Sequence, residues 1–181
     1  MLMSAADACL MVVDIQERLC PVIEDPRTIL YNATRLLRGA ALLEVPVLVT
    51  EHCPQSIGPT MVDLREEFSP GSLVSKTAFS AAAEEAIRDR VAALGRKQLV
   101  ICGTEAHVCV LQTALGFRRL GYEVFIVTDA SGSRRAADRE AGVARMVSQG
   151  CQAVTTEMVL FEWMARADHP RFRDILQRLI K

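Results

Sequence analysis

The feature that most constrains this chain is an alternation. Six strand-sized apolar runs, ACLMVVD (8–14), VPVLVT (45–50), SLVSKT (72–77), QLVICG (98–103), YEVFIVTD (122–129) and CQAVTT (151–156), are bounded by Gly, Pro or polar residues. Val, Leu and Ile occupy both parities of these runs, as in strands buried on both faces. Between most of them lie helical patterns at 26–44, 81–94, 107–120 and 135–150. Neighbouring parallel strands need a crossover of this kind, so the sequence predicts an α/β fold: three αβα layers around a six-stranded, mostly parallel, Rossmann-like sheet.

The remaining segments fit around that frame. Residues 51–71, EHCPQSIGPTMVDLREEFSPG, follow neither period and read as a long functional loop with a short helical piece. After the sixth strand, EMVLFEWMARADHPRFRDILQRLIK reads as two short helices broken at Pro170, with Asp168 expected to cap the second. No repeat, low-complexity tract or linker interrupts the 181 residues, and one domain spanning 1–181 is expected.

Charge and cysteine usage narrow the partners. A formal net charge of -1 leaves no electrostatic footprint for nucleic acid or an anionic membrane, which points to a small-molecule substrate or to copies of the same chain. The apolar runs are too short to span a bilayer. Cys9, Cys20, Cys53, Cys102, Cys109 and Cys151 form no CxxC pair, and the N-terminus lacks a basic segment followed by an apolar one. A reducing, cytoplasmic setting is expected rather than a disulfide framework.

In an open parallel sheet, ligands bind beyond the carboxyl ends of the strands. The first strand ends at Asp14, the third at Lys76, and the fourth runs into GTEAHVCV with Cys109 near the start of a helix. A thiol is a nucleophile as thiolate, which a helix N-terminus and a nearby ammonium both favour. Asp14 is then placed to take the thiol proton and Lys76 to hold the charges, while the amides of Glu105 and Cys109 face a developing oxyanion. Taken singly, each residue reads as ordinary: a buried core cysteine, a turn-capping aspartate, a solvated lysine. Their arrival at one rim carries the argument.

The motifs MVVDIQERL (11–19), SKTAFSA (75–81) and GTEAHVCVLQTALGFRRLGYEVFIVTDA (103–130), in that order, resemble the isochorismatase-like cysteine hydrolases over nearly the whole chain. TTEMVLFEWMARADHPRF (155–172) resembles the subgroup of isochorismatase domain-containing proteins. The resemblance implies Asp14 as acid and base, Lys76 as charge stabiliser and Cys109 as nucleophile. It also implies a non-proline cis peptide at Thr104–Glu105 and an oxyanion hole from the amides of Glu105 and Cys109. Isochorismatases proper work without a nucleophilic cysteine, so Cys109 implies hydrolysis of an amide-type C–N bond. Nicotinamidases of the family hold a metal through an Asp and two His after strand two; TEHCPQSIGP offers only Glu51 and His52, and neither metal nor cofactor is expected. Gln16, Glu51, His52, Phe79 and Thr104 are the positions expected to line the substrate pocket. His107, His169, Cys9, Cys102 and Cys151 read as structural.

Two other functions compete. The fold can serve as a binding or scaffold module with an idle triad. A dinucleotide-binding Rossmann domain is disfavoured, because DIQERL stands where a GxGxxG would follow the first strand. Met158, Leu160, Phe161, Trp163 and Met164 exceed what one helix face buries within its own domain, so a homo-oligomer is expected.

Overall fold

A computed structural model describes residues 1–181. Its six strands are β1 (Ala8–Val13), β2 (Val47–His52), β3 (Leu73–Lys76), β4 (Gln98–Thr104), β5 (Glu123–Gly132) and β6 (Gln152–Val154). They form one sheet in the order β3-β2-β1-β4-β5-β6, every neighbouring pair parallel. The chain works outward from β1 to one edge and then returns to build the other half from β4. The topological switch point, where sheets of this kind bind ligands, lies between β1 and β4.

The principal helices are α1 (Pro26–Leu42), α2 (Pro54–Ile57), α3 (Val62–Arg65), α4 (Glu85–Ala93), α5 (Leu111–Arg119), α6 (Ala136–Ser148), α7 (Thr156–Met164) and α8 (Phe172–Ile175). Single π-helical turns cover Ala106–Val110 and Leu176–Ile180. Local signals set several boundaries. Asp25 accepts the Thr28 amide ahead of Pro26 in the first turn of α1, and Thr155 accepts the Met158 amide at the start of α7.

The alternating side chains of β1 fall into two separate cores. Ala8, Leu10 and Val12 pack with Leu36, Leu37, Leu160 and Trp163 of α1 and α7 on one face. Cys9, Met11 and Val13 pack with Val91, Ala114, Phe117 and Met146 of α4, α5 and α6 on the other. All six β1 residues are buried, which is why the strand reads as a continuous apolar run. No helix is long and apolar enough to cross a membrane.

Three local expectations change. β2 runs on to His52 rather than stopping at residue 50, and the loop after it holds two one-turn helices, α2 and α3. β5 continues to Gly132 rather than residue 129, because its end pairs with Gly103 and Thr104 past a register shift. Asp168 does not cap the last helix. Both its carboxylate oxygens pair with Arg166 at 2.7 Å, and Arg171 occupies the cap position without a side-chain bond.

Candidate active site

Asp14 follows β1 in a left-handed conformation, with φ of 52°. Beside it the residue before the end of β4 is Gly103, whose φ is 137° and where a Cβ would stand 2.0 Å from the Val13 carbonyl oxygen. Only glycine permits this approach. It brings Thr104 against the chain turn, and the Thr104 hydroxyl donates to the Asp14 carbonyl at 2.6 Å.

The Asp14 carboxylate is held from both sides. Thr50 Oγ1, near the end of β2, donates to Oδ1 at 2.7 Å, and Lys76 Nζ donates to Oδ2 at 2.6 Å. Lys76 reaches this position across the end of β2, and its ammonium also donates to the carbonyls of Ala78 (3.1 Å) and Phe79 (2.9 Å). Both charged side chains are fully buried. A buried ion pair is tolerable only with such additional hydrogen bonds, because desolvation of each charge costs several kcal/mol.

Cys109 sits in the π-helical turn between β4 and α5 and is 5% exposed. Burial, followed by the charge of Asp14, pushes its thiol pKa up to about 12; the Lys76 ammonium works in the opposite direction, and Asp14 hydrogen bonding and the Glu105 charge raise it further. Desolvation and the neighbouring carboxylate thus act against the helix start and the ammonium, which favour the anion.

The peptide bond between Thr104 and Glu105 is cis. The carbonyl of Glu105 accepts the amides of Val108 and Val110 at 3.1 and 3.2 Å, while the Glu105 amide itself donates to no acceptor in the chain. The Glu105 carboxylate meets Arg134, whose Nε lies 3.0 Å from Oε1 and whose backbone amide lies 3.3 Å from Oε2. Nδ1 of His107 lies 2.9 Å from Ser133 Oγ and 3.8 Å from Glu105 Oε2. Gly142 of α6 lets this turn pack closely, since a Cβ there would meet the His107 Cα at 2.9 Å.

Asp14, Lys76 and Cys109 thus come together, and His52 and Phe79 meet at the rim with ring centroids 5.0 Å apart. Phe79 is half exposed, and His52 Nδ1 is buried without a partner. Three of the expected pocket positions make hydrogen bonds within the chain. Gln16 is fully buried; its amide donates to the His52 and Gly58 carbonyls and accepts the His52 amide, which clamps the loop after β2. Glu51 Oε1 accepts both the amide and hydroxyl of Thr60. Thr104 is fully buried against Asp14. All three have polar atoms bonded within the chain around the site.

Sequence reasoning missed Thr50, Ser133 and Arg134. Thr50 carried a usable signal, a hydroxyl near a strand end beside the one bearing Asp14; Arg134 carried none, being 29 residues from Glu105. No group of three or more His, Cys, Asp and Glu side chains is arranged to hold a metal ion.

The parallel sheet with helices on both faces, carrying the Lys76–Asp14 pair and Cys109 near its switch point, has an isochorismatase-like hydrolase fold. Residues 8–158 match the Isochorismatase domain model, and the chain belongs to that family. It is 38% identical over 176 residues to isochorismatase domain-containing protein 2A of Mus musculus, covering 95% of this chain and 82% of that protein. It is 36% identical over 180 residues to isochorismatase domain-containing protein 1 of Danio rerio, covering 99% of this chain and 62% of that longer relative.

Among solved structures it superposes on MAR1 ribonuclease of Caenorhabditis elegans with a TM-score of 0.93 and 30% identity, over 99% of this chain and 92% of that one. YcaC of Escherichia coli, described as an octameric hydrolase of unknown specificity, gives 0.92 and 28%, over 99% and 91%. YcaC of Pseudomonas aeruginosa, solved with hexane-2,5-diol and covalent acrylamide, gives 0.92 and 29%, over 99% and 92%.

Proposed function

We propose that this chain is a cysteine hydrolase that cleaves an amide-type C–N bond of a small molecule through a thioester on Cys109. The observation that carries the reading is the fully buried Lys76–Asp14 pair at 2.6 Å, whose carboxylate and ammonium both act on the Cys109 thiol.

As sulfur bonds to the substrate carbonyl carbon, the thiol proton passes to Asp14 and the carbonyl π pair moves onto oxygen, held by the amides of Glu105 and Cys109. A thiol with a pKa of about 12 supplies little free thiolate, so proton transfer accompanies attack. Collapse of the oxyanion breaks the C–N bond, and the leaving amine takes the proton from Asp14. A water then gives a proton to Asp14 as its oxygen attacks the thioester; the C–S bond breaks, and the proton returns to sulfur as the acid leaves. Lys76 stays an ammonium throughout and offsets the charge that Asp14 gains and loses. His52 and Phe79 form the entrance on this reading.

The name of the C. elegans protein points to phosphodiesters. In this chain a thiol paired with a carboxylate base suits attack at a carbonyl, and the covalent acrylamide of the P. aeruginosa protein is consistent with nucleophilic side chains on this fold.

We also propose that the chain works as a homo-oligomer in a reducing cytoplasm. Met158 and Phe161 of α7 are 45% and 39% exposed, all six cysteines are free, and the E. coli neighbour is octameric. The competing reading, a scaffold with an idle triad, leaves the pairing of two buried charges beside a thiol without a use. Turnover of a panel of small amides by the wild type, with none by Cys109→Ala of unchanged melting temperature, is the expected result. Undiminished hydrolysis by that variant contradicts it.

A further inference from the structure

Between the 3-10 turn Ala81–Ala83 and helices α5 and α6 lies an open groove of about 650 Å³ that does not include Asp14, Lys76 or Cys109. Arg88, Arg119, Arg145 and His107 are among its lining residues, and no Asp or Glu is. None of the three arginines takes part in an ion pair with an acidic side chain. Arg88 is partly buried and anchored, its Nη1 donating to the Ala82 carbonyl at 3.0 Å. Arg119 and Arg145 project from the last turns of α5 and α6.

Cations at helix C-termini are favourable on their own account. That accounts for Arg119 and Arg145 individually but not for the convergence of three positive groups on one concavity in a chain whose net charge is -1. Without a counter-charge they repel one another. Arginine matches phosphate oxygens with two parallel hydrogen bonds, which distinguishes such a groove from a general cationic surface. Its lining also includes Leu111, Leu115 and the 54% exposed Leu120.

We propose that this groove binds a small phosphorylated molecule carrying at least two negative charges, such as a diphosphate ester, with its organic part resting on Leu115 and Leu120. The site is separate from the thiol, so its ligand is not the compound that is hydrolysed.

The probe is inorganic pyrophosphate, titrated calorimetrically into the full-length protein in its native assembly at constant ionic strength. Saturable binding at one site per chain is expected, weakened about tenfold or more in Arg119→Gln/Arg145→Gln, because each charge-assisted bond lost leaves phosphate oxygens unpaired. Both arginines are exposed, and an unchanged melting temperature verifies the fold of the variant. No saturation at millimolar pyrophosphate overturns the proposal, as does equal binding by the variant, which places the ion elsewhere. Absence of binding combined with dissociation of the variant into smaller assemblies also overturns it and assigns the groove to contact between copies of the chain.

Discussion

Replacing Asp14 by Asn is expected to make Cys109 react faster with an alkylating agent while slowing hydrolysis. One of the influences that raise the thiol to about 12, the charge of Asp14, disappears in this variant, and its hydrogen bond weakens to that of a neutral acceptor, whereas Lys76, which lowers it, remains. A carboxylate at close range moves a neighbouring pKa by about 1–3 units. Because nucleophilicity falls as a thiol becomes more acidic, the net gain in alkylation rate at pH 7 is about 4- to 40-fold. Loss of the proton acceptor should lower amide turnover about 100-fold or more. The variant also leaves the buried Lys76 ammonium without its counter-ion, costing about 3–5 kcal/mol and lowering the melting temperature by about 10 °C. The assay is acrylamide labelling followed by peptide mass spectrometry across a pH series, run well below that midpoint. Lys76→Met should move alkylation the opposite way. If Asp14→Asn labels at Cys109 no faster than the wild type, the carboxylate is not what holds the thiol protonated, and the reasoning fails.

The buried thiols give an alkaline signature. Cys102 has its pKa raised from 9.0 to about 12, chiefly by burial, so its contribution to stability is complete below pH 9 and is lost as pH rises from 9 toward 12. Between pH 8 and 10.5, urea unfolding of the wild type should lose about 2 kcal/mol more than that of Cys102→Val, and parallel losses would refute the assignment. Gly103→Ala should abolish soluble expression or lower the melting temperature by more than 10 °C, about the effect of a several-kcal/mol backbone clash, since its Cβ would stand 2.0 Å from the Val13 carbonyl oxygen. A variant that melts like the wild type would show that the β1–β4 approach is not needed. Phe161→Asp should sediment as a smaller species with an unchanged circular dichroism spectrum, because it places a charge on the exposed face of α7; an unaltered sedimentation coefficient assigns the assembly contact to another surface.

What the sequence disclosed follows from the range over which each signal acts. The strands of the buried sheet are legible because burial on both faces forces continuous apolar runs, and the crossover helices because their period differs from that of strands. Asp14, Lys76 and Cys109 stand out because strand ends in such a sheet converge on one rim. The upward shift of the Cys109 pKa was not legible. Helix start and ammonium are visible in the sequence, but the desolvation and carboxylate contact that outweigh them exist only after folding. Gln16 and Thr104 illustrate the same limit. Both are polar residues beside the expected nucleophilic centre, and only the three-dimensional arrangement shows their polar atoms bonded to the backbone of His52, Gly58 and Asp14. Arg134 reaches Glu105 across 29 residues through an extension of β5 that no local pattern announces.

The central claim is that Cys109 carries the acyl group during turnover. Its most direct test is acid quenching of the wild type during reaction with an activated amide or ester, followed by peptide mass spectrometry. The account predicts a hydroxylamine-labile acyl mass on the Cys109 peptide alone, absent from Cys109→Ser. An acyl mass on another residue, or turnover in Cys109→Ala at the wild-type rate, contradicts it.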